Sequence, residues 1–258
     1  MKLTLDIENT VIKRDGKLHL DPFEPTNELV MVGMLSDSGQ EELVTFNHSE
    51  VDPYPNGHKL VQDWLDRATI LIMHNASHDL LWLWESGFTY DGPVFDTMLG
   101  EYVLQRGLKE PLSLEACAER YDLDTKKQDT LKDYFSKGYS TADIPHKELS
   151  DYLSADLHAT QQLSDRIYKR LLLEDGSLRD TVDLTNQVAV CLSRIYQRGF
   201  KVDLTVLSKV QKEFEDERVE LTTALTKQVR ELMGDMPINL NSPEQLSWVI
   251  YSRKPKDK

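Results

Sequence analysis

Hydrophobic and polar side chains alternate at the start of the chain. In residues 2–8, apolar side chains occupy the odd positions, whereas polar side chains, including Asp6 and Glu8, occupy the even ones. This period of two is typical of a half-buried β-strand. The pattern therefore places both acids on the same face of the strand, opposite its apolar face.

Further apolar segments predict a sheet with helices packed on it. Residues 28–35 and 41–46 are typical of two more strands, and the turn at 37–39 between them predicts three antiparallel strands. The uninterrupted apolar run 70–73 indicates a buried central strand, preceded by an amphipathic helix at 57–68. Further helices are predicted at 80–87, 97–105, 113–121 and 146–173, with a short apolar segment at 94–95 and a weakly patterned connection at 122–143. The alternation of strands and helices favours an α/β fold with a mixed sheet.

The pattern changes near residue 173. Residues 173–177, Leu-Glu-Asp-Gly-Ser, interrupt the helical periodicity, and long helices are predicted after them at 180–198 and 204–233. Ser242 followed by Pro243 predicts the start of a final helix. We expect one domain at 1–172, a linker at 173–179 and a helical extension at 180–258. The extension is too small for a substantial core of its own and is expected to need a partner surface.

Charge and composition limit the possible functions. The net charge of −14 argues against binding nucleic acid by charge alone, because phosphates are bound through Lys and Arg, so a nucleic-acid substrate would require divalent metal. Cys117 and Cys191 lie in amphipathic helical patterns and are expected to be buried rather than disulfide-bonded. No signal-like segment and no run of about 20 apolar residues is present. These features predict a cytoplasmic protein that is neither secreted nor membrane-bound.

Three pairs of residues carry the candidate chemistry. Asp6 and Glu8 lie about 7 Å apart along their strand, a separation that a metal ion can bridge. Asn75 can cap the helix after the central strand, and Asp79 follows four residues later on the same face, where an acid also complements the helix dipole. Tyr152 and Asp156 are likewise four residues apart on a predicted helix, so both can contact one water and one metal. Taken singly, each pair also fits ordinary surface or helix-end polarity.

Together, in this order, the pairs Asp6-x-Glu8, Asn75-x-x-x-Asp79 and Tyr152-x-x-x-Asp156 resemble the motifs of the DEDDy 3′-5′ exonucleases. The resemblance covers about residues 1–172 and implies a ribonuclease-H-like fold. The segment at 95–104, which begins Phe-Asp-Thr-Met-Leu, is similar to the segment after the second motif in proofreading domains of family-A DNA polymerases.

The resemblance also implies roles for these residues. Asp6, Glu8 and Asp156 would bind the ion that activates water, and Asp6 and Asp79 would serve a second ion at the leaving oxygen. The ions would be Mg²⁺ or Mn²⁺, since two such ions about 3.5–4 Å apart promote phosphodiester hydrolysis. Tyr152 would help Glu8 orient the nucleophile.

Ile12, Asn75 and His78 are candidate DNA-contacting residues. Ile12 matches an apolar position that lies against the terminal base in the family, although a core role fits it equally well. His78 departs from the family's usual Tyr or Phe; it can bind a strand phosphate, shift the protonation of nearby carboxylates, or be incidental. Asp96 is expected to support the site or cap a helix rather than bind metal.

Residues 194–203 and 239–246 are similar to the start of the polymerase region of family-A enzymes, where the thumb begins, whereas the polymerase active-site motifs are missing. This indicates a fragment of a polymerase or the exonuclease half of a split one. The favoured function is proofreading at the 3′ end of single-stranded or frayed primer DNA, with a polymerase domain or subunit as partner. The alternatives are an RNA-trimming DEDDy exonuclease and an inactive scaffold for a polymerase subunit.

Overall fold

A computed structural model describes residues 1–123, 129–173 and 176–251 of the chain. The strands are β1 (Lys2–Asn9), β2 (Ile12–Arg14), β3 (Lys17–His19), β4 (Leu29–Ser36), β5 (Glu41–Thr45), β6 (Ile70–Met73) and β7 (Val94–Asp96). The helices are α1 (Gly57–Arg67), α2 (Ala76–Glu85), α3 (Thr97–Leu104), α4 (Leu114–Arg120), α5 (Asp129–Ser136), α6 (His146–Leu173), α7 (Gly176–Arg198), α8 (Leu204–Met233) and α9 (Pro243–Ile250), with a 3₁₀ turn at Thr141–Asp143.

Five strands form a mixed sheet in the order β5-β4-β1-β6-β7. β4 is antiparallel to both β1 and β5, which confirms the predicted antiparallel trio, and β6 is parallel to β1 and β7. The carboxyl ends of β1, β6 and β7 therefore meet at one edge of the sheet. The predicted side-chain alternation in β1 is also observed, since Leu3, Leu5 and Ile7 are buried in the core and Asp6 and Glu8 are half-buried.

Helix α6 packs over the sheet on β4. Its residues Leu149 and Leu153 share a buried cluster with Val30 and Met31 of β4. This packing brings the N-terminal half of α6, where the Tyr152 motif lies, over β4 and the central strand β1.

Helix α7 belongs to the first compact unit, which spans Met1–Gly199 and is followed by a second unit, Phe200–Lys258. The unit thus ends later than the boundary expected at residue 172. Two contacts attach α7 to the rest of this unit. Val182 is fully buried in the same cluster as Phe95, and the Asn186 side chain accepts a hydrogen bond from the Asp96 amide. Of the expected linker, 174 and 175 lie outside the described residues, and α7 begins at Gly176.

One element was missed by the sequence analysis, and one expectation was wrong. The hairpin formed by β2 and β3 was not predicted from the sequence. Cys117 is buried as expected, but Cys191 is exposed on α7, so the expectation for it was wrong. Within the described parts of the chain, no helix has the length and apolarity needed to cross a bilayer.

Candidate active site

Strand β1 carries the first two acids. Because Leu5 and Ile7 face the core, Asp6 and Glu8 project from the opposite side of the strand. Asp6 is paired with Gly33 of β4, so no side chain from that partner covers it.

Helix α2 carries the third acid at the same edge of the sheet. Asp79 lies in its first turn and is 3% exposed. Asn75 precedes the helix in the left-handed region, with φ of 67°, and its exposed side chain makes no capping hydrogen bond, so its expected role as a side-chain cap was wrong.

Asp96 organises this edge instead. Its carboxylate accepts hydrogen bonds from the amides of Asn75 and Ala76, at 3.0 and 2.9 Å, and from the amide of Met98 at 2.9 Å. It therefore joins the start of α2 to the start of α3 and is the helix cap that the sequence indicated.

Helix α6 carries the remaining motif. The Tyr152 hydroxyl donates a hydrogen bond to the Asp156 carboxylate one turn away, as the spacing of four residues allows. Burial, the negative charge of Asp156 and this hydrogen bond raise the pKa of the Tyr152 phenol far above its usual value. The phenol is thus held in its neutral, hydrogen-bond-donating form.

The four acids act on one another electrostatically. Burial and the charge of Asp156 raise the pKa of Asp6 to about 7, and burial with the charges of Asp6 and Asp156 raises the pKa of Glu8 well above its usual value. The pKa of Asp79 is likewise raised by burial and by Asp6, whereas burial raises that of Asp156 to about 6. Acids from three distant parts of the chain therefore share one site.

This donor set suits a hard divalent cation. Carboxylate oxygens are the ligands that Mg²⁺ and Mn²⁺ prefer, and a cation would offset the repulsion between these acids. Among residues 1–123, 129–173 and 176–251, no three His, Cys, Asp or Glu side chains are already gathered in a metal-binding arrangement. The observation that favours a cation is therefore the burial and mutual repulsion of the four acids, which raise their pKa values.

The candidate DNA-contacting residues lie near the acids in the chain, on or next to α2 and just after β1. His78 is half-buried one residue before Asp79, and its Nε2 lies 2.9 Å from the Asn9 side-chain oxygen. Ile12 begins β2, just after the end of β1; it is half-buried and lies outside the three buried clusters of the described core, which disfavours its core interpretation.

Sequence analysis did not identify three residues that support the site. Asn9 forms a hydrogen bond with His78, and Asn186 accepts a hydrogen bond from the Asp96 amide. The negative charge of Glu115 on α4 also raises the pKa of Asp156. Asn9 and Asn186 are buried amides, a residue type whose burial is itself a signal of a specific partner.

A protein-family model matches more than half of the chain. The model of the 3′-5′ exonuclease domain of family-A DNA polymerases matches residues 25–172, a range that includes Asp79, Tyr152 and Asp156 but begins after Asp6 and Glu8.

Curated relatives include DNA polymerase I of Synechocystis sp., 25% identical over 182 residues, which cover 70% of this chain and 18% of that protein. DNA polymerase I of Helicobacter pylori is 29% identical over 141 residues, which cover 50% of this chain and 15% of the relative. The chain therefore spans less than a fifth of the length of these relatives.

Solved structures share the fold. The polymerase domain of Pol1 from M. smegmatis, in complex with DNA primer-template and dNTP, aligns with a TM-score of 0.63 at 20% identity over 90% of this chain and 36% of that one. NrnC of Brucella melitensis with bound Mg²⁺ aligns with a TM-score of 0.53 at 20% identity over 78% of this chain and 88% of its own. The fold is ribonuclease-H-like, as expected, and because the family model matches more than half of its residues, the chain belongs to the 3′-5′ exonucleases of family-A DNA polymerases.

Proposed function

We propose that this chain is a metal-dependent 3′-5′ exodeoxyribonuclease that removes 3′-terminal nucleotides from DNA. The observation that carries the proposal is the mutual electrostatic interaction of Asp6, Glu8, Asp79 and Asp156. These acids come from β1, α2 and α6, in the order of the motifs that the sequence analysis identified.

In this proposal Asp6, Glu8, Asp79 and Asp156 hold two Mg²⁺ or Mn²⁺ ions. When bound, such ions stabilise negative charge on the attacking and leaving oxygens. Tyr152 acts as a hydrogen-bond donor, since the raised pKa of its phenol keeps the proton in place, and with Glu8 it orients the attacking water. Asp96 stays outside the ligand set because three backbone amides already occupy its carboxylate.

The substrate is the 3′ end of single-stranded or frayed primer DNA, and the biological role is proofreading beside a polymerase domain or subunit. Membership in the exonuclease family of DNA polymerases supports this choice, as do the two polymerase-like segments at 194–203 and 239–246. In this proposal Ile12, Asn75 and His78 contact the terminal nucleotides.

RNA trimming is the second candidate. The structure of Brucella melitensis NrnC bound to pGG shows this fold with a dinucleotide, and carboxylates do not distinguish deoxyribose from ribose. Rates on DNA and RNA strands of one sequence separate the two functions: we expect faster DNA trimming, and faster RNA trimming would reverse the assignment.

The proposal is tested with a 5′-labelled DNA strand and Mg²⁺. We expect stepwise shortening from the 3′ end that stops in EDTA and in Asp156→Asn. The matched control is Asp165→Asn, which removes an exposed acid from the same helix and leaves shortening unchanged. A wild-type protein that binds neither Mn²⁺ nor DNA but captures a polymerase subunit would instead establish the scaffold alternative.

A further inference from the structure

We propose that the hairpin formed by β2 and β3 is a strand-binding arm that holds the phosphates of single-stranded DNA upstream of the 3′ end, on the hairpin face that carries Ile12. This inference rests on the proposed function and names a binding surface that contributes to it.

The hairpin has unusual charge for this protein. Residues 12–19 contain Lys13, Arg14 and Lys17 against one acid, Asp15, a net charge of +2, while the whole chain has −14. All three basic side chains are exposed. A local excess of positive charge in an acidic chain is the complement of a phosphate backbone.

The two faces of the hairpin differ. Its register pairs Ile12 with His19 and Arg14 with Lys17, so these four side chains share one face, whereas Lys13 pairs with Leu18 on the other. Like charges placed directly opposite each other destabilise a hairpin. Arg14 already has a carboxylate partner in Glu24, 3.0 Å away, so the charge on this face that a bound phosphate would offset is that of Lys17.

The hairpin starts at the catalytic edge of the sheet. β1 ends at Asn9, and β2 begins at Ile12, so the hairpin leaves from the carboxyl end of the strand that carries Glu8. Arg14 and Lys17 lie two residues beyond the Ile12–His19 pair, about 7 Å farther along the hairpin. A strand whose last base contacts Ile12 would meet these cations with its preceding nucleotides.

Several contacts fix the hairpin to the rest of the first compact unit. An isolated two-stranded hairpin is only marginally stable. Here Trp82 of α2 donates a hydrogen bond to the Leu20 carbonyl at 3.0 Å, Asn27 donates to the His19 carbonyl at 3.0 Å, and Arg14 forms a 3.0 Å ion pair with the buried Glu24. The arm is thus tied to the helix that carries Asp79.

The test compares two exposed lysines on opposite faces. We expect Lys17→Gln to raise KM for a DNA strand of about 12 nucleotides roughly three- to ten-fold. The slope of log affinity against log salt concentration should also become less steep by about 0.7, which is the change for one lost phosphate contact on a single strand. Lys13→Gln is the matched control with the same change of charge, and we expect it to alter KM less than two-fold. Both variants should cleave a dinucleotide, which is too short to reach the arm, at the wild-type rate.

Three results would overturn the inference. The first is an unchanged KM in Lys17→Gln, and the second is an equal rise of KM in Lys13→Gln. The third is a loss of dinucleotide cleavage in Lys17→Gln as large as its loss on the longer strand. Fluorescence anisotropy in the presence of Ca²⁺ measures binding of a labelled strand separately from its cleavage. This measurement distinguishes a failure of the inference from a failure of the proposed function. A wild-type protein without nuclease activity refutes the function, while weaker strand binding by Lys17→Gln than by Lys13→Gln still supports the arm.

Discussion

Gly33 of β4 lies directly beneath Leu153 of α6. A Cβ built on Gly33 would come within 2.9 Å of Leu153 Cγ and 2.8 Å of Leu157 Cδ1, closer than carbon atoms normally approach. Gly33 is also the residue paired with Asp6 in the β1–β4 ladder. The absence of a side chain at this position therefore sets the distance between the strand that carries Asp6 and the helix that carries Asp156.

We expect Gly33→Ala to impair catalysis more than folding. The added methyl displaces α6, and a misplacement of about 1 Å at a catalytic group can reduce kcat by up to about 100-fold. Overpacking of this kind costs about 1–3 kcal/mol of unfolding free energy, so the protein should still fold. Single-turnover kinetics and thermal unfolding measure the two effects.

The matched control is Gly100→Ala. Its added Cβ would meet Ile167 Cγ2 of α6 at 3.1 Å, farther along the helix from Asp156. A comparable loss of activity in both variants would show that crowding of α6 acts through stability alone.

Tyr152→Phe tests the hydrogen bond to Asp156. The variant keeps the ring and loses the donor, so we expect kcat to fall by about 10- to 100-fold, while Mn²⁺ affinity measured by calorimetry stays within about three-fold. Tyr168→Phe is the control, since Tyr168 lies on the same helix with its ring stacked on Phe95. Loss of Mn²⁺ binding in Tyr152→Phe would mean that the phenol is needed to build the metal site itself.

The main sheet and the candidate acids could be predicted because their signals are local. Alternation in β1 places Asp6 and Glu8 on one face, and a separation of four residues does the same for Tyr152 and Asp156 on α6. The buried run at 70–73 likewise indicated the central strand β6.

Features that depend on long-range contacts could not be predicted in the same way. α7 was recognised as a helix, but the burial of Val182 and the hydrogen bond from the Asp96 amide to Asn186 depend on residues about 90 positions apart. The hairpin had a local signal in Asp15-Gly16, a pair that favours a tight turn, but its short strands alternate too weakly to be recognised.

His78 is expected to stabilise the protein through Asn9. The Asn9 side-chain amide donates to the carbonyls of Thr10 and Leu20, which identifies its oxygen as the acceptor for the His78 Nε2–H. His78→Phe restores the family's aromatic residue but leaves the buried Asn9 oxygen without this donor, at a cost of about 1–3 kcal/mol of unfolding free energy.

A double-mutant cycle with Asn9→Ala, followed by denaturant unfolding, measures this link. We expect a coupling energy of about 1 kcal/mol between the two positions. Additive effects of the two substitutions would show that the hydrogen bond makes no net contribution.

Asp6→Asn should stabilise the metal-free protein by an amount that grows with pH. Because the pKa of Asp6 is raised to about 7 in the folded state from 3.8, the unfolded state releases its proton first as pH rises, and the wild type loses stability between about pH 4 and pH 7. Asparagine has no such proton, so the stability advantage of the variant should be small at pH 4 and level off above pH 7, at on the order of 4 kcal/mol.

Urea unfolding in EDTA across this range measures the difference. Asp156→Asn provides an internal comparison, because its advantage should level off near pH 6, where the pKa of Asp156 lies. Added Mn²⁺ should reverse the order, since the wild-type acids then gain a partner that the asparagine variants bind more weakly. An advantage of Asp6→Asn that stays constant from pH 4 to pH 8 would contradict the shared electrostatic field of the four acids and, with it, the reason to expect a cation between them.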